Sequence, residues 1–164
     1  FSWSVKMRDS LEEQARRYAT QAHADAGQRR KYTDEPYIVH PAAVAELVRS
    51  VSDDEAMIAA AWLHDTVEDT ASTLQDIEEH FGTRVAHLVD MLTDSAQPQA
   101  KNRTARKLAH FRHTAEASPE AQTIKLADII DNTRAIVQFD PNFARVYLVE
   151  KQIQIQLLQQ GDRR

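Results

Sequence analysis

The sequence contains no cysteine, which excludes disulfides and thiolate metal sites; any bound metal must use nitrogen and oxygen ligands. The same absence fits a cytoplasmic protein. Three glycines and five prolines in 164 residues leave little material for hairpins, long loops or low-complexity linkers. No apolar run approaches the length of a bilayer span, and the longest, around Met57–Leu63, is cut by His64-Asp65. Positive charge is not in excess: a net charge of −5 argues against wholesale binding to nucleic acid or an anionic membrane. Residues Phe1–Met7 lack the charged and apolar regions of a signal peptide. They are expected to be a disordered leader or an expression remnant, with Met7 the natural start.

What remains is the material of one globular domain, long enough to bury about two-thirds of its unfolded surface. Its periodicity is helical almost throughout. Leu11, Ala15, Tyr18 and Ala22 share one helix face, which Gly27 can end. Val44, Leu47, Val48 and Val51 repeat the pattern after Pro41, a residue suited to a first helical turn. A third helix is expected from near Asp53 through Ile58, Trp62 and Leu63 into His64-Asp65. Thr73 with Asp76 signals a short helix closed by Gly82, and Val85, Leu88, Val89 and Leu92 form the next stripe. Ser118-Pro119-Glu120 and Asp140-Pro141 read as caps of two further helices. The first carries Ile124, Ala127, Ile130 and Arg134; the last carries Val146, Val149, Ile153 and Leu157. The longest loop is expected at Asp94–Asn102. No hairpin signal or strand-period run is found. The expectation is one all-α domain of about eight helices.

The chemistry concentrates in a few places. His64-Asp65 ends an apolar helix with two metal-ligating side chains in sequence, and Glu68 and Asp69 follow one turn later. Such a pair can share one ion where a helix tightens or ends. If the helix continues, all four groups point into one region and repel unless a cation or protons compensate. An exposed, solvated helix end is the ordinary alternative. His40 sits at a helix start before Pro41, and Asp128 lies among Ile124, Ile129 and Ile130. A carboxylate in so apolar a stretch must be paired or metal-bound; Lys125 and Arg134 are the plain partners. Lys101, Arg103, Arg106 and Lys107 form a basic cluster that can clamp phosphate or simply face solvent. His110 and His113 show no carboxylate partner, and His23 faces partly inward.

Arg30-Lys31, Pro36-Tyr37-Ile38-Val39-His40-Pro41, His64-Asp65-Thr66-Val67-Glu68-Asp69-Thr70 and Lys125-Leu126-Ala127-Asp128 with Asn132 occur in an order that resembles the hydrolase domain of RelA/SpoT enzymes. The short length resembles the stand-alone small alarmone hydrolases, the metazoan SpoT homologue among them. The resemblance runs from about Tyr18 to Leu157 and implies the compact all-α HD-domain fold, with residues 8–164 as one domain. It also implies that His40, His64, Asp65 and Asp128 hold one ion, typically Mn2+, and that Glu68 and Asp69 are the catalytic acids. Arg30, Lys31 and Asn132 match nucleotide-contacting positions. The chain departs from the family where Ile129-Ile130-Asp131 follow the last ligand, in place of the frequent basic residue.

The activity so implied is metal-dependent hydrolysis of the 3′-pyrophosphate of ppGpp and pppGpp, a small nucleotide substrate. Removal of the 2′-phosphate of NADPH by the same site is the nearest alternative. A non-catalytic nucleotide-binding regulator is another class, and a nucleic-acid binder using Lys101–Arg112 a third. The oligomeric state, monomer or homodimer, is open.

Overall fold

The computed structural model describes residues 10–94 and 102–162. Among them are nine helical segments and one isolated β-bridge, Arg29 with Pro36, and no strand. In chain order they are α1 (Leu11–Asp25), α2 (Val39–Arg49), α3 (Glu55–Leu63), α4 (Thr66–Asp69), α5 (Leu74–Phe81), α6 (Thr83–Leu92), α7 (Arg103–Ala115), α8 (Pro119–Phe139) and α9 (Pro141–Leu157). None is long and apolar enough to cross a membrane. Residues 1–7 and Lys101 lie outside the described residues.

Local chemistry sets most boundaries. Ser10, Asp54, Thr73, Asn102, Ser118 and Asp140 each accept a backbone N–H in the first turn of the helix they cap, satisfying donors that have no partner inside the helix. Thr73 and Asp76 form a reciprocal capping box. Gly82, at φ +92°, turns the chain between α5 and α6 where a side chain would be strained.

α3 is buried from Met57 to Leu63 on all sides, as expected of a helix with no polar face. It packs on α1, α2 and α6, while α8 lies across α2 and α6. α2, α8 and the end of α3 bring His40, Asp128, His64 and Asp65 to one point on this core.

Two differences from the sequence reading stand out. The helix of Ile58–Leu63 does not run through His64-Asp65. The Leu63 carbonyl accepts from Thr66 Oγ1 at 2.7 Å and the Ala61 carbonyl from His64 Nδ1 at 2.7 Å. Side chains thus replace the helical ladder and α4 restarts as a separate turn. The second difference is in α9, whose stripe of Val146, Val149, Ile153 and Leu157 is 43–61% exposed. Its inward face is Ala144, Tyr147, Lys151 and Gln154. That face borders a polar cavity, so the apolar periodicity points to solvent.

Candidate metal centre

The corner is built by three elements. His40 comes from the first turn of α2, His64 and Asp65 from the break after α3, and Asp128 from the middle of α8. Asp128 Oδ1 lies 2.8 Å from His40 Nε2 and 3.3 Å from His64 Nε2. Asp65 Oδ2 lies 3.1 Å from His64 Nε2 and 3.7 Å from His40 Nε2. One ligand-type atom from each of the four residues falls within 4.8 Å of all the others.

Each group is aimed by a neighbour. His64 Nδ1 donates to the Ala61 carbonyl and His40 Nδ1 to Asp131 Oδ2 at 2.7 Å. Both Nε2 atoms therefore face the shared point, the arrangement that fixes the tautomer of a metal-binding histidine. Tyr37 donates to Asp65 Oδ2 at 2.6 Å, Lys125 Nζ to Asp128 Oδ2 at 2.9 Å and Asn132 Nδ2 to Asp128 Oδ1 at 3.1 Å.

Burial opposes charge on all four, and their mutual attraction overcomes it. His40 is raised by its hydrogen bonds to Asp128 and Asp131, and His64 stands well above its ordinary value beside Asp65 and Asp128. Asp65 is held down to about 2, chiefly by His64, and Asp128 falls well below the usual carboxylate range beside Lys125 and the histidines. A buried and a half-buried aspartate that draw protons onto two imidazoles mark a point of negative potential. A hard or borderline divalent cation fits this N2O2 donor set.

Glu68 and Asp69 flank the corner. Both are solvent-accessible, so their desolvation is partial, yet it acts first, and the like charge of Asp65 adds to it. Glu68 rises to about 7 and Asp69 rises as well. Asp69 accepts from Gln28 Nε2 at 3.2 Å, and Gln28 Oε1 is 2.8 Å from the buried His23 Nδ1. His23 thus stands behind an acid rather than at the metal point.

A cavity of about 310 Å3 opens on the corner, lined by His64, Asp65, Glu68 and Asp128 together with Lys107, His110 and Lys151. A second hollow, lined by Arg30, Lys31, Tyr32, Tyr37, Asn132 and Phe143 among others, shares Tyr37 and Asn132 with the cavity. The expected substrate contacts therefore separate. Arg30, Lys31 and Asn132 line this hollow and Lys107 the cavity, whereas Arg103 pairs with Glu150 at 2.6 Å and Arg106 is exposed.

Four contributors had gone unassigned: Tyr37, Gln28, Asp131 and Lys151. Asp131 bonds both His40 Nδ1 and Arg30 Nη2, the latter at 2.8 Å, joining the metal corner to the hollow. An acidic residue immediately after Ile129-Ile130 was its available signal. Gln28 had none.

Comparison with known proteins agrees with this geometry. The chain is 38% identical over 131 residues to a probable guanosine-3′,5′-bis(diphosphate) 3′-pyrophosphohydrolase of Synechocystis, covering 78% of this chain and 17% of that protein. It is 35% identical over 127 residues to a protein of that name from Aquifex aeolicus, 77% of this chain and 18% of that one. The chain thus spans less than a fifth of these two relatives. The Xenopus tropicalis 3′-pyrophosphohydrolase MESH1 is 37% identical over 131 residues, which cover 78% of this chain and 70% of MESH1. A solved structure described as a metazoan ortholog of SpoT that hydrolyses ppGpp superposes with a TM-score of 0.80 at 32% identity, covering 92% of this chain and 86% of that one. With the HD-domain family model matching residues 15–155, the chain belongs to the HD-domain family.

Proposed function

We propose that this chain is a metal-dependent hydrolase that cleaves the 3′-pyrophosphate from ppGpp and pppGpp, giving pyrophosphate and GDP or GTP. The relatives' names suggest the substrate. The observation that carries the reading is the convergence of His40, His64, Asp65 and Asp128 within 4.8 Å, beside two acids of raised pKa. These four residues would hold one divalent ion, Mn2+ in our reading. Such an ion supplies Lewis acidity toward a phosphoryl oxygen and lowers the pKa of a bound water.

The chain's own groups do the rest. Tyr37 and Lys125 hold the two aspartates in place, and Asp131 and the Ala61 carbonyl hold the two imidazoles. Glu68, poised near neutrality, is suited to take or give a proton at its carboxyl group. Asp69, anchored by Gln28, orients the attacking water. Arg30, Lys31 and Asn132 bind the nucleoside side, where the guanidinium plane of Arg30 suits a base. Lys107 meets phosphate, and the basic residues Lys101 and Arg106 add longer-range attraction. The substrate is a small cytoplasmic nucleotide.

Purified chain supplied with Mn2+ is assayed on ppGpp, pppGpp and NADPH. The expected products are pyrophosphate with GDP or GTP, with activity lost to a chelator and restored by Mn2+. Glu68→Gln is expected to lower kcat by about 10²–10⁴-fold with metal retained. Phosphate release from NADPH with none from ppGpp would replace this reading with a 2′-phosphatase. Nucleotide binding without turnover would make the chain a regulator.

A further inference from the structure

The end of α1 is closed by a Schellman cap. Gly27, at φ +64°, takes the left-handed conformation that such a cap requires. Its N–H donates to the Ala24 carbonyl at 3.0 Å, and the Gln28 N–H donates to the His23 carbonyl at 3.1 Å. The Gln28 carbonyl in turn accepts from the Tyr37 N–H at 3.3 Å, so the backbone of Gln28 is held on both sides. The side chains continue the row. His23 is 1% exposed, with its ring 4.8 Å from that of Tyr37. Its Nδ1 lies 2.8 Å from Gln28 Oε1, and Gln28 Nε2 lies 3.2 Å from Asp69 Oδ2.

The far end of the row decides its polarity. An ionised carboxylate only accepts, so Gln28 must turn its NH2 group toward Asp69 and its carbonyl oxygen toward His23. The imidazole must then carry its hydrogen on Nδ1. Nε2 is left as a bare lone pair, and it is buried with no hydrogen-bond partner. Burial holds His23 below its ordinary value, so the ring stays neutral and has one hydrogen to place. Asp69 is exposed, at the last residue of a four-residue helix. A carboxylate there would otherwise move among several rotamers.

We propose that His23 is a positioning residue for the hydrolysis: by donating from Nδ1 it fixes the Gln28 amide, and the amide holds the Asp69 carboxylate in the orientation used by the attacking water. The imidazole touches no substrate and exchanges no proton. It keeps the amide from turning over, which would bring the Gln28 carbonyl oxygen against the Asp69 carboxylate. The catalytic consequence rests on the role given to Asp69 in the proposed function, whereas the row from His23 to Asp69 can be read without turnover.

Nitrogen NMR of the imidazoles and side-chain amides, in the full chain loaded with diamagnetic Zn2+, reads the row directly. His23 is expected to be neutral with its hydrogen on Nδ1, and Asp69→Asn is expected to shift the Gln28 amide resonances. Turnover is then compared for His23→Leu, which keeps bulk alone, and His23→Asn, which keeps an N–H near the Nδ1 position. His23→Leu is expected to lower kcat about 10–100-fold, with KM and Mn2+ affinity within about twofold of wild type. His23→Asn is expected to restore kcat to within about threefold of wild type on the same grounds. In a Gln28→Met background, His23→Leu should cost less than about a further twofold, because nothing remains for it to act through. A hydrogen on Nε2, equal losses in the two His23 variants, or additive losses with Gln28→Met overturn the proposal. Should His23→Leu not fold, the wild-type spectrum and His23→Asn decide. The expected tautomer and amide shift in a chain that hydrolyses no nucleotide uphold the positioning of Asp69 by His23 and overturn the proposed function instead.

Discussion

The two walls of the cavity bury charge in opposite ways. At the metal corner the four ligand-type groups have partners of opposite sign: Asp65 lies beside His64, Asp128 touches His40, His64 and Lys125, and Asp131 touches His40 and Arg30. On the α7–α9 wall, Lys151 has a neutral amide and two ring faces, and His110 Nδ1, buried without a hydrogen bond, lies 3.8 Å from Asp94 Oδ1. Paired burial holds a geometry ready, with each side chain fixed by the next. Unpaired burial carries a desolvation cost that no opposite charge offsets.

The contrast can be broken most severely at Asp128. Asp128→Ala removes a ligand-type oxygen and the partner of Lys125 and both histidines, so loss of measurable Mn2+ binding and at least about 10³-fold in kcat/KM is expected. Retained metal affinity by calorimetry would separate Asp128 from the ion. A smaller effect is expected one helical turn away. Asp131→Ala frees His40 Nδ1 and Arg30 together, which should cost about 10–100-fold in metal affinity and raise KM in the same variant. A metal-only effect would show that Arg30 needs no anchor.

The opposite wall should respond with the opposite sign. Lys151→Met is expected to stabilise the ligand-free protein by about 1–3 kcal/mol in denaturant titrations, whereas losing a paired group would destabilise it. The pH dependence sharpens this. Folding lowers the Lys151 pKa from 10.5 to about 8, so between those values the unfolded chain binds more protons and stability rises with pH. Below about pH 8 the cost is present in full. The methionine variant should lose this rise; if wild-type stability is already flat across the window, Lys151 is not the strained group described here. Last and smallest, Val149→Glu on the 61% exposed outer face of α9 should shift stability by no more than about 0.5 kcal/mol. A large fall in Tm would place that stripe in contact with something.

The same division separates what could be read from the chain from what could not. His40, His64-Asp65 and Asp128 announce themselves because metal-ligating residues embedded in apolar, helical context are chemically conspicuous. Their order also resembles a known family. Caps at Thr73, Ser118 and Asp140 are equally local. The break after Leu63 was not legible, since it depends on His64 and Thr66 taking the carbonyls of Ala61 and Leu63. α9 misled for a related reason: its apolar period is real, but the face it buries carries Lys151 and Gln154.

By itself the sequence determined the helices, their caps and the ligand-type residues, because 3.6-residue periodicity, capping and side-chain chemistry are properties of a few neighbouring positions. Only the tertiary structure decided which face of α9 turns inward, that Asp131 spans from His40 to Arg30, and that His110 and Lys151 line one wall. Those outcomes depend on residues tens of positions apart competing for the same small volume, which no local pattern encodes.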